Sequence, residues 1–175
     1  MRALLQDATA AGPTYAEKGA ADGAILPPGY RHNDQPSVVG HGRDAFERLA
    51  DGLLRWAVHR GAGMAVLATD EPLVDGTTVV SAEPYGPLWV PVPCRVVAVI
   101  DEPDRRGFSY GTLPGNPVRG EERFTAELAP DGEVTFRLRS FSRPNGLPAL
   151  FPPAAYGGQW VANRRYLAAA RRLAA

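Results

Sequence analysis

The sequence predicts an α+β fold: a curved antiparallel sheet of about six or seven strands wrapped around a long C-terminal helix, with a shorter helix near residues 43–60. Three observations carry that expectation. Two segments, 44–57 and 156–174, repeat apolar residues at helical spacing. Between them lie β-prone runs separated by turn signals. Glycine (19) and proline (17) together make about a fifth of the chain, which favours many turns and short strands over a helical bundle.

Residues 1–36 show no sustained period and contain "GPT", "PPG" and "QP", so they are expected to form an irregular N-terminal arm lying over a single domain, 37–175. "SVVG", 37–40, is expected to be a short first strand. From Asp44 the pattern turns helical: Phe46, Leu49, Leu53, Trp56 and Ala57 form one apolar stripe, and Gly61 and Gly63 supply the stop.

The middle of the chain reads as strands. "GMAVLAT" and "TTVVSAE" flank the turn-bearing "DEPLVDG". "CRVVAVI", 94–100, is apolar on both parities, which predicts cover on both faces. "GFSYGT" sets Phe108, Tyr110 and Thr112 on one face, and "ERFTAEL" sets Glu122, Phe124, Ala126 and Leu128 on one face. "PDG", 130–132, is a hairpin turn leading into "EVTFRLRS", where Val134, Phe136 and Leu138 alternate with polar residues. After "SRPNGLPALFPP" the helical period returns. Tyr156, Trp160, Asn163, Leu167, Ala170 and Ala174 share a stripe, Pro152 and Pro153 suit a first turn, and Arg164, Arg165, Arg171 and Arg172 lie toward the C-terminal end. A sheet with one apolar face needs a lid, and a curved sheet around a long helix leaves a hollow between them. Helix-grip folds are built this way.

Composition narrows the function classes. Nineteen basic residues balance nineteen acidic ones, so no global field draws nucleic acid or anionic membrane. No apolar run reaches membrane-spanning length, and the N-terminus lacks the apolar core of a signal peptide, so the expectation is a cytoplasmic protein with no membrane span. Cys94 is the only cysteine, which excludes an internal disulfide. His32, His41 and His59 do not fall at metal-ligand spacing, and no metal or cofactor is expected. No G-x-S-x-G elbow occurs.

"GFSYGTLPGNPVRGEERF", 107–124, is the most unusual segment. Gly115 and Gly120 have P-loop spacing, yet Glu121 and Glu122 stand where lysine and a hydroxyl belong, and Pro117 removes an amide donor. The glycines and prolines are better read as an ordered connection between two strands. Glu121 and Glu122 must face opposite ways, and parity with Phe124 turns Glu122 inward. A buried carboxylate needs a partner or a raised pKa, and Arg95 is the candidate partner. Glu122 and Tyr110 are thus the candidate catalytic residues, and Arg95, Phe108, Tyr110, Glu122, Phe124, Phe136 and Trp160 the candidate ligand-binding set. The alternatives for Glu122 are a solvated strand start or a buried pair of structural role only. For Trp56 and Trp160 the alternative is core packing, and Cys94 reads as a small buried hydrophobe.

"LPPGYRHN", "GRDAFERLADGLLRWAVHRGAG", "PCRVVAVIDEP", "GFSYGTLPGNPVRGEERF" and "FSRP" together resemble an uncharacterised family of bacteria and plants, domain of unknown function nineteen-ninety, from about Tyr15 to Leu173. The resemblance implies a helix-grip fold related to START domains, pollen-allergen proteins and polyketide cyclases, and implies no reaction. The family pattern has histidine between Gly115 and Pro117, where this chain has Asn116. An amide does not titrate, so the substitution argues against acid–base chemistry by the loop.

The function expected first is binding of a small apolar or amphipathic molecule between sheet and C-terminal helix. An enzyme of cyclase, dehydratase or hydrolase type, with Glu122 as acid or base and Tyr110 as donor, is the alternative. A third reading is an interaction or regulatory module without a pocket, using the arm or the prolines of 144–153. Neither the ligand nor the oligomeric state can be read from the sequence.

Overall fold

The computed structural model describes residues 1–85, 88–146 and 152–175, the side chains of 85 and 152–156 excepted. Its centre is a seven-stranded antiparallel sheet in the order β1-β7-β6-β5-β4-β3-β2. The strands are β1 (Arg31–His41), β2 (Ala65–Ala68), β3 (Thr78–Tyr85), β4 (Leu88–Glu102), β5 (Arg105–Thr112), β6 (Val118–Leu128) and β7 (Glu133–Pro144). The helices are α1 (Arg2–Ala10), α2 (Arg43–Leu54), α3 (Ala57–Gly61) and α4 (Pro152–Ala174). No helix among the described residues is long and apolar enough to cross a membrane. Within the proline-rich stretch 144–153, residues 147–151 lie outside the described residues, as does the side chain of Tyr156.

One face of the sheet is covered by α2, α3 and α4. Phe46, Leu49 and Leu53 of α2, and Tyr166, Ala169 and Ala170 of α4, join Val96, Phe108, Phe124, Phe136 and Leu138 of the sheet in one core. Small residues bring the helices close: a Cβ added at Gly61 would lie 3.0 Å from Ala169 Cβ, and one at Gly52 2.9 Å from Leu173 Cδ1.

Three expectations need correction. The helix foreseen over 43–60 is two helices, because Trp56 takes a left-handed conformation with φ of 59° that ends α2 and opens α3. The bend sends the Trp56 indole, fully buried, onto Phe108 and His59. A left-handed non-glycine residue costs on the order of 1–3 kcal/mol, and burial of an indole is of comparable size in the opposite direction. The first strand begins at Arg31, six residues before "SVVG". It is an edge strand paired only with β7, so "RHNDQP" carries polar, largely exposed side chains and no apolar alternation. Strand β4 begins at Leu88 despite Pro91 and Pro93. Its pairing with β5 starts only at Cys94, so this stretch has β3 as its sole ladder neighbour, and an edge tolerates residues without an N–H. The bulge between Val96 and Ala98 explains why "CRVVAVI" is apolar on both parities.

The N-terminal arm is also more ordered than its sequence suggests. It is a strap over the opposite face of the sheet, holding α1 and a single 3₁₀ turn at Ala20–Asp22. Ala8 packs on Val80 and Leu113, while Tyr15, Ala21 and Leu26 pack on Phe141. Buried Glu121 fixes the strap by accepting from Tyr15 Oη at 2.6 Å, Gly19 N at 2.5 Å and Ala21 N at 3.0 Å. Asp22 pairs with Arg105 and Arg123 beside it. Gly111 makes room: a Cβ there would sit 1.8 Å from the Tyr15 hydroxyl. Gly111→Ala should therefore lower stability by on the order of 2 kcal/mol and speed tryptic cleavage after Lys18, which requires the strap to detach. An unchanged melting temperature with unchanged cleavage would show that the strap is not held at Tyr15.

Candidate functional site

The inner face of the sheet carries a gradient of side-chain size. Along β5 it reads Phe108, Tyr110, Thr112; along β6, Phe124, Glu122, Gly120; along β7, Phe136, Leu138, Ser140, Ser142. At the large end the aromatic rings fill the space under α2 and α3. Phe108 stacks on Phe124 with centroids 5.4 Å apart, and His59 lies 5.0 Å from both Phe124 and Tyr166. At the small end nothing fills the space, and a cavity of about 300 Å³ remains. Val90, Val92 and Cys94 of β4, Val118 of β6 and Ala162 of α4 form its apolar wall. Its polar residues include Glu83, Tyr110, Glu122, Ser140, Gln159 and Tyr166.

Tyr110 and Glu122 are cross-strand partners. The Tyr110 hydroxyl donates to Glu122 Oε2 at 3.0 Å. Behind it His59 Nε2 lies 3.4 Å from the same hydroxyl, a long contact in which the imidazole is the donor once the tyrosine proton is committed to Glu122. Burial drives these groups toward their neutral forms. Glu122 is raised to about 7 by burial, the Glu83 charge adding to the effect and the Tyr110 hydrogen bond opposing it. His59 is lowered to about 3 by burial and by nearby Arg60. Burial also pushes the Tyr110, Tyr166 and Cys94 side chains well above their ordinary ranges, so the Cys94 thiol is a poor nucleophile.

The structure brings together only part of the residue set foreseen from sequence. Tyr110 and Glu122 line the cavity, while Glu121, which also touches its lining, has its carboxylate turned to the strap. Arg95 is not the partner of Glu122. It projects from the other face of β4 and donates to the carbonyls of Ala8, Thr9 and Ala11 and to Thr78 Oγ1, where its charge suits the C-terminus of α1. Phe108, Phe124 and Phe136 are buried in the packed half and do not line the cavity. Trp160 is 56% exposed, beneath the Arg164 guanidinium, and is neither core nor lining. Glu83, Tyr166 and His59 were missed. Only the alternation of β3 could have marked Glu83 as inward, and its last residues read as a strand end.

The glycine-proline segment is a structural connection. Asn116 is buried, donates through Nδ2 to the Pro93 carbonyl at 3.2 Å and to Cys94 Sγ at 3.4 Å, and accepts from Val118 N at 3.0 Å. Its side chain ties the loop to β4 at the cavity rim. At Gly120, φ is 142° and an added Cβ would meet the Phe141 carbonyl oxygen at 1.9 Å, so the close pairing of β6 and β7 requires glycine there.

The shifted carboxyl ties stability to pH. Between its ordinary value of 4.5 and about 7, native Glu122 holds a proton that the unfolded chain has released. Its contribution to stability therefore falls as pH rises across that window. His59 acts the other way, weakening the fold as pH drops below 6.5 toward 3. Glu122→Gln should match the parent near pH 4 and exceed it above pH 7 by on the order of 2 kcal/mol. Denaturant melts across pH check this, and a constant difference between the two proteins would contradict it.

Comparison with other proteins agrees with this architecture. A UPF0548 protein of Deinococcus radiodurans is 38% identical over 145 residues, spanning 75% of this chain and 71% of its own. Among solved structures, Ara h 8.0201 superposes with a TM-score of 0.58 at 12% identity, covering 83% of this chain and 98% of its own. The Zhui aromatase/cyclase of Streptomyces sp. R1128 superposes with a TM-score of 0.52 at 18% identity, covering 82% and 90%. At such identities these two likenesses establish the helix-grip fold alone. The sequence model of a domain of unknown function, DUF1990, matches residues 14–169, and the chain belongs to that family.

Proposed function

We propose that the protein binds a small apolar or amphipathic molecule in the cavity between the sheet and α4. The observation that supports this reading is an unfilled space of about 300 Å³ with an apolar wall and a few convergent polar groups. Such a site is the usual form of a small-molecule pocket. An apolar cavity of about 150 Å³ accepts benzene, so this one suits a body of about two rings. A module without a pocket would have no use for the shrinking side chains that keep this end of the inner face empty.

A second reading is acid–base catalysis in the same cavity. Glu122, raised to about 7 and hydrogen-bonded to Tyr110, could both give and take a proton near neutrality. The aromatase/cyclase name belongs to the Streptomyces protein, and the likeness carries its fold and not its reaction.

The test is titration with an uncharged fluorescent probe, N-phenylnaphthylamine. Saturable binding at one site per chain is expected. Ala162→Trp should abolish it by filling the cavity from α4, whereas Trp160→Ala, outside the lining, should leave it unchanged. Equal binding by the Ala162→Trp protein would place the probe elsewhere and remove this reading.

A further inference from the structure

The charge inside the cavity narrows the ligand further. Three glutamates, Glu83, Glu121 and Glu122, lie on its lining, the Glu121 carboxylate being bound on the strap side by Tyr15, Gly19 and Ala21, and no lysine, arginine or histidine lines it among the described residues. The stretches outside the described residues, 86–87 and 147–151, contain no charged residue, so they add no cation. Among the described side chains, the titratable groups around Glu122 are Glu83 on β3, Cys94 on β4, Tyr110 on β5 and Tyr166 on α4, with His59 of α3 behind Tyr110. Buried Cys94, Tyr110, Tyr166 and His59 are all held in their neutral forms. Arginines on the same elements are engaged elsewhere. Arg95 is bound to α1, Arg119 donates to Asn145, and Arg165 reaches the Pro84 carbonyl from an exposed position.

Resting on the ligand-binding reading above, we propose that the molecule carries a protonated amine seated against the Glu122 carboxylate, with Glu83 contributing a second negative charge. An anionic ligand would be repelled by both carboxylates. A neutral hydroxyl would leave Glu122 holding its proton. A cation instead draws that proton off and gains a charge-assisted hydrogen bond in a site of low dielectric. Ser140, Ser142, Gln159 and Asn163 offer oxygens for the remaining N–H groups of an ammonium. Binding then follows one balanced step: the ammonium enters, the Glu122 O–H breaks, and its proton leaves to bulk solvent.

Three naphthyl probes of one body and different heads test the charge: naphthylethylamine, naphthylethanol and naphthylacetate. Calorimetry at about pH 7.5 should give the amine about tenfold or more higher affinity than the alcohol, with the acetate weakest. The amine stays protonated from about pH 5.5 to 8.5, so any change in its affinity reports the protein. Its affinity should fall as pH drops below 7, with up to one proton released per amine bound, read from buffers of different ionisation enthalpy. In Glu122→Gln the proton release should vanish and the preference should shrink severalfold, only the Glu83 charge remaining, while naphthylethanol still binds. If naphthylethanol or naphthylacetate binds as tightly as the amine, the charge assignment is overturned and the pocket reading stands. If none of the three binds, the pocket reading itself falls and the charge assignment with it.

Discussion

Consecutive side chains of an extended strand leave on opposite faces, and at Glu121 and Glu122 this constraint divides the molecule. Glu121 faces the strap and is satisfied by three donors from residues 15–21. Glu122 faces the hollow and has the Tyr110 hydroxyl. A one-residue slip of β6 would exchange them, leaving the strap without its acceptor and turning Phe124 out of the core. The register is pinned from both neighbours. Gly120 lets the β7 backbone close in at Phe141, and Gly107 does the same for β5 at Phe124. The two-faced sheet, the ordered arm and the acidic pocket all follow from that pinned register.

The hollow itself is a consequence of volume. Each central strand places a phenylalanine under α2 and α3 and then steps down toward threonine, glycine or serine beneath the first turns of α4. The helices cannot sink into the space, because Gly52 and Gly61 already hold α2 and α3 against Leu173 and Ala169. With the lid fixed at its packed end, small residues at the other end leave a void instead of a collapsed core. Tyr166 stands at the boundary, buried against Phe124 on one side and lining the cavity on the other.

How much of this was legible in the sequence depends on what each residue signals locally. Alternation in "ERFTAEL" and "EVTFRLRS" marks strand, face and the inward turn of Glu122, and the long stripe marks α4. Strand β1 is hidden because an edge strand under solvent needs no apolar alternation. The break at Trp56 is hidden because no propensity rule puts tryptophan in a left-handed conformation; tertiary burial does. Large apolar residues suggest a pocket lining, which points to Phe108, Phe124 and Phe136, when their bulk is what fills the other half of the inner face. The steps Phe-x-Tyr-x-Thr and Leu-x-Ser-x-Ser were present in the chain and carry the location of the void. For Arg95, charge in an apolar strand suggests a buried acidic partner, whereas its partners are the carbonyls at the end of α1, a helix that the unperiodic N-terminal sequence does not announce.

The charges argue last for a guest. Over the outer surface several acids of this balanced chain are matched locally: Asp22 with Arg105 and Arg123, Asp34 with Arg137 and Arg139, Glu47 with Arg106, Glu71 with Arg60. Against that pattern, the cavity beneath α4 has the buried Glu122 facing it and no cation on its lining among the described residues. Burying a carboxyl there weakens the empty protein at neutral pH, since the group must either hold its proton or carry an unbalanced charge. A glutamine would fill the same volume, hydrogen-bond to Tyr110 and avoid that penalty. What glutamine lacks is the ability to lose a proton, and that ability matters only when something positive, or something in need of a proton, enters the space that Glu122 faces.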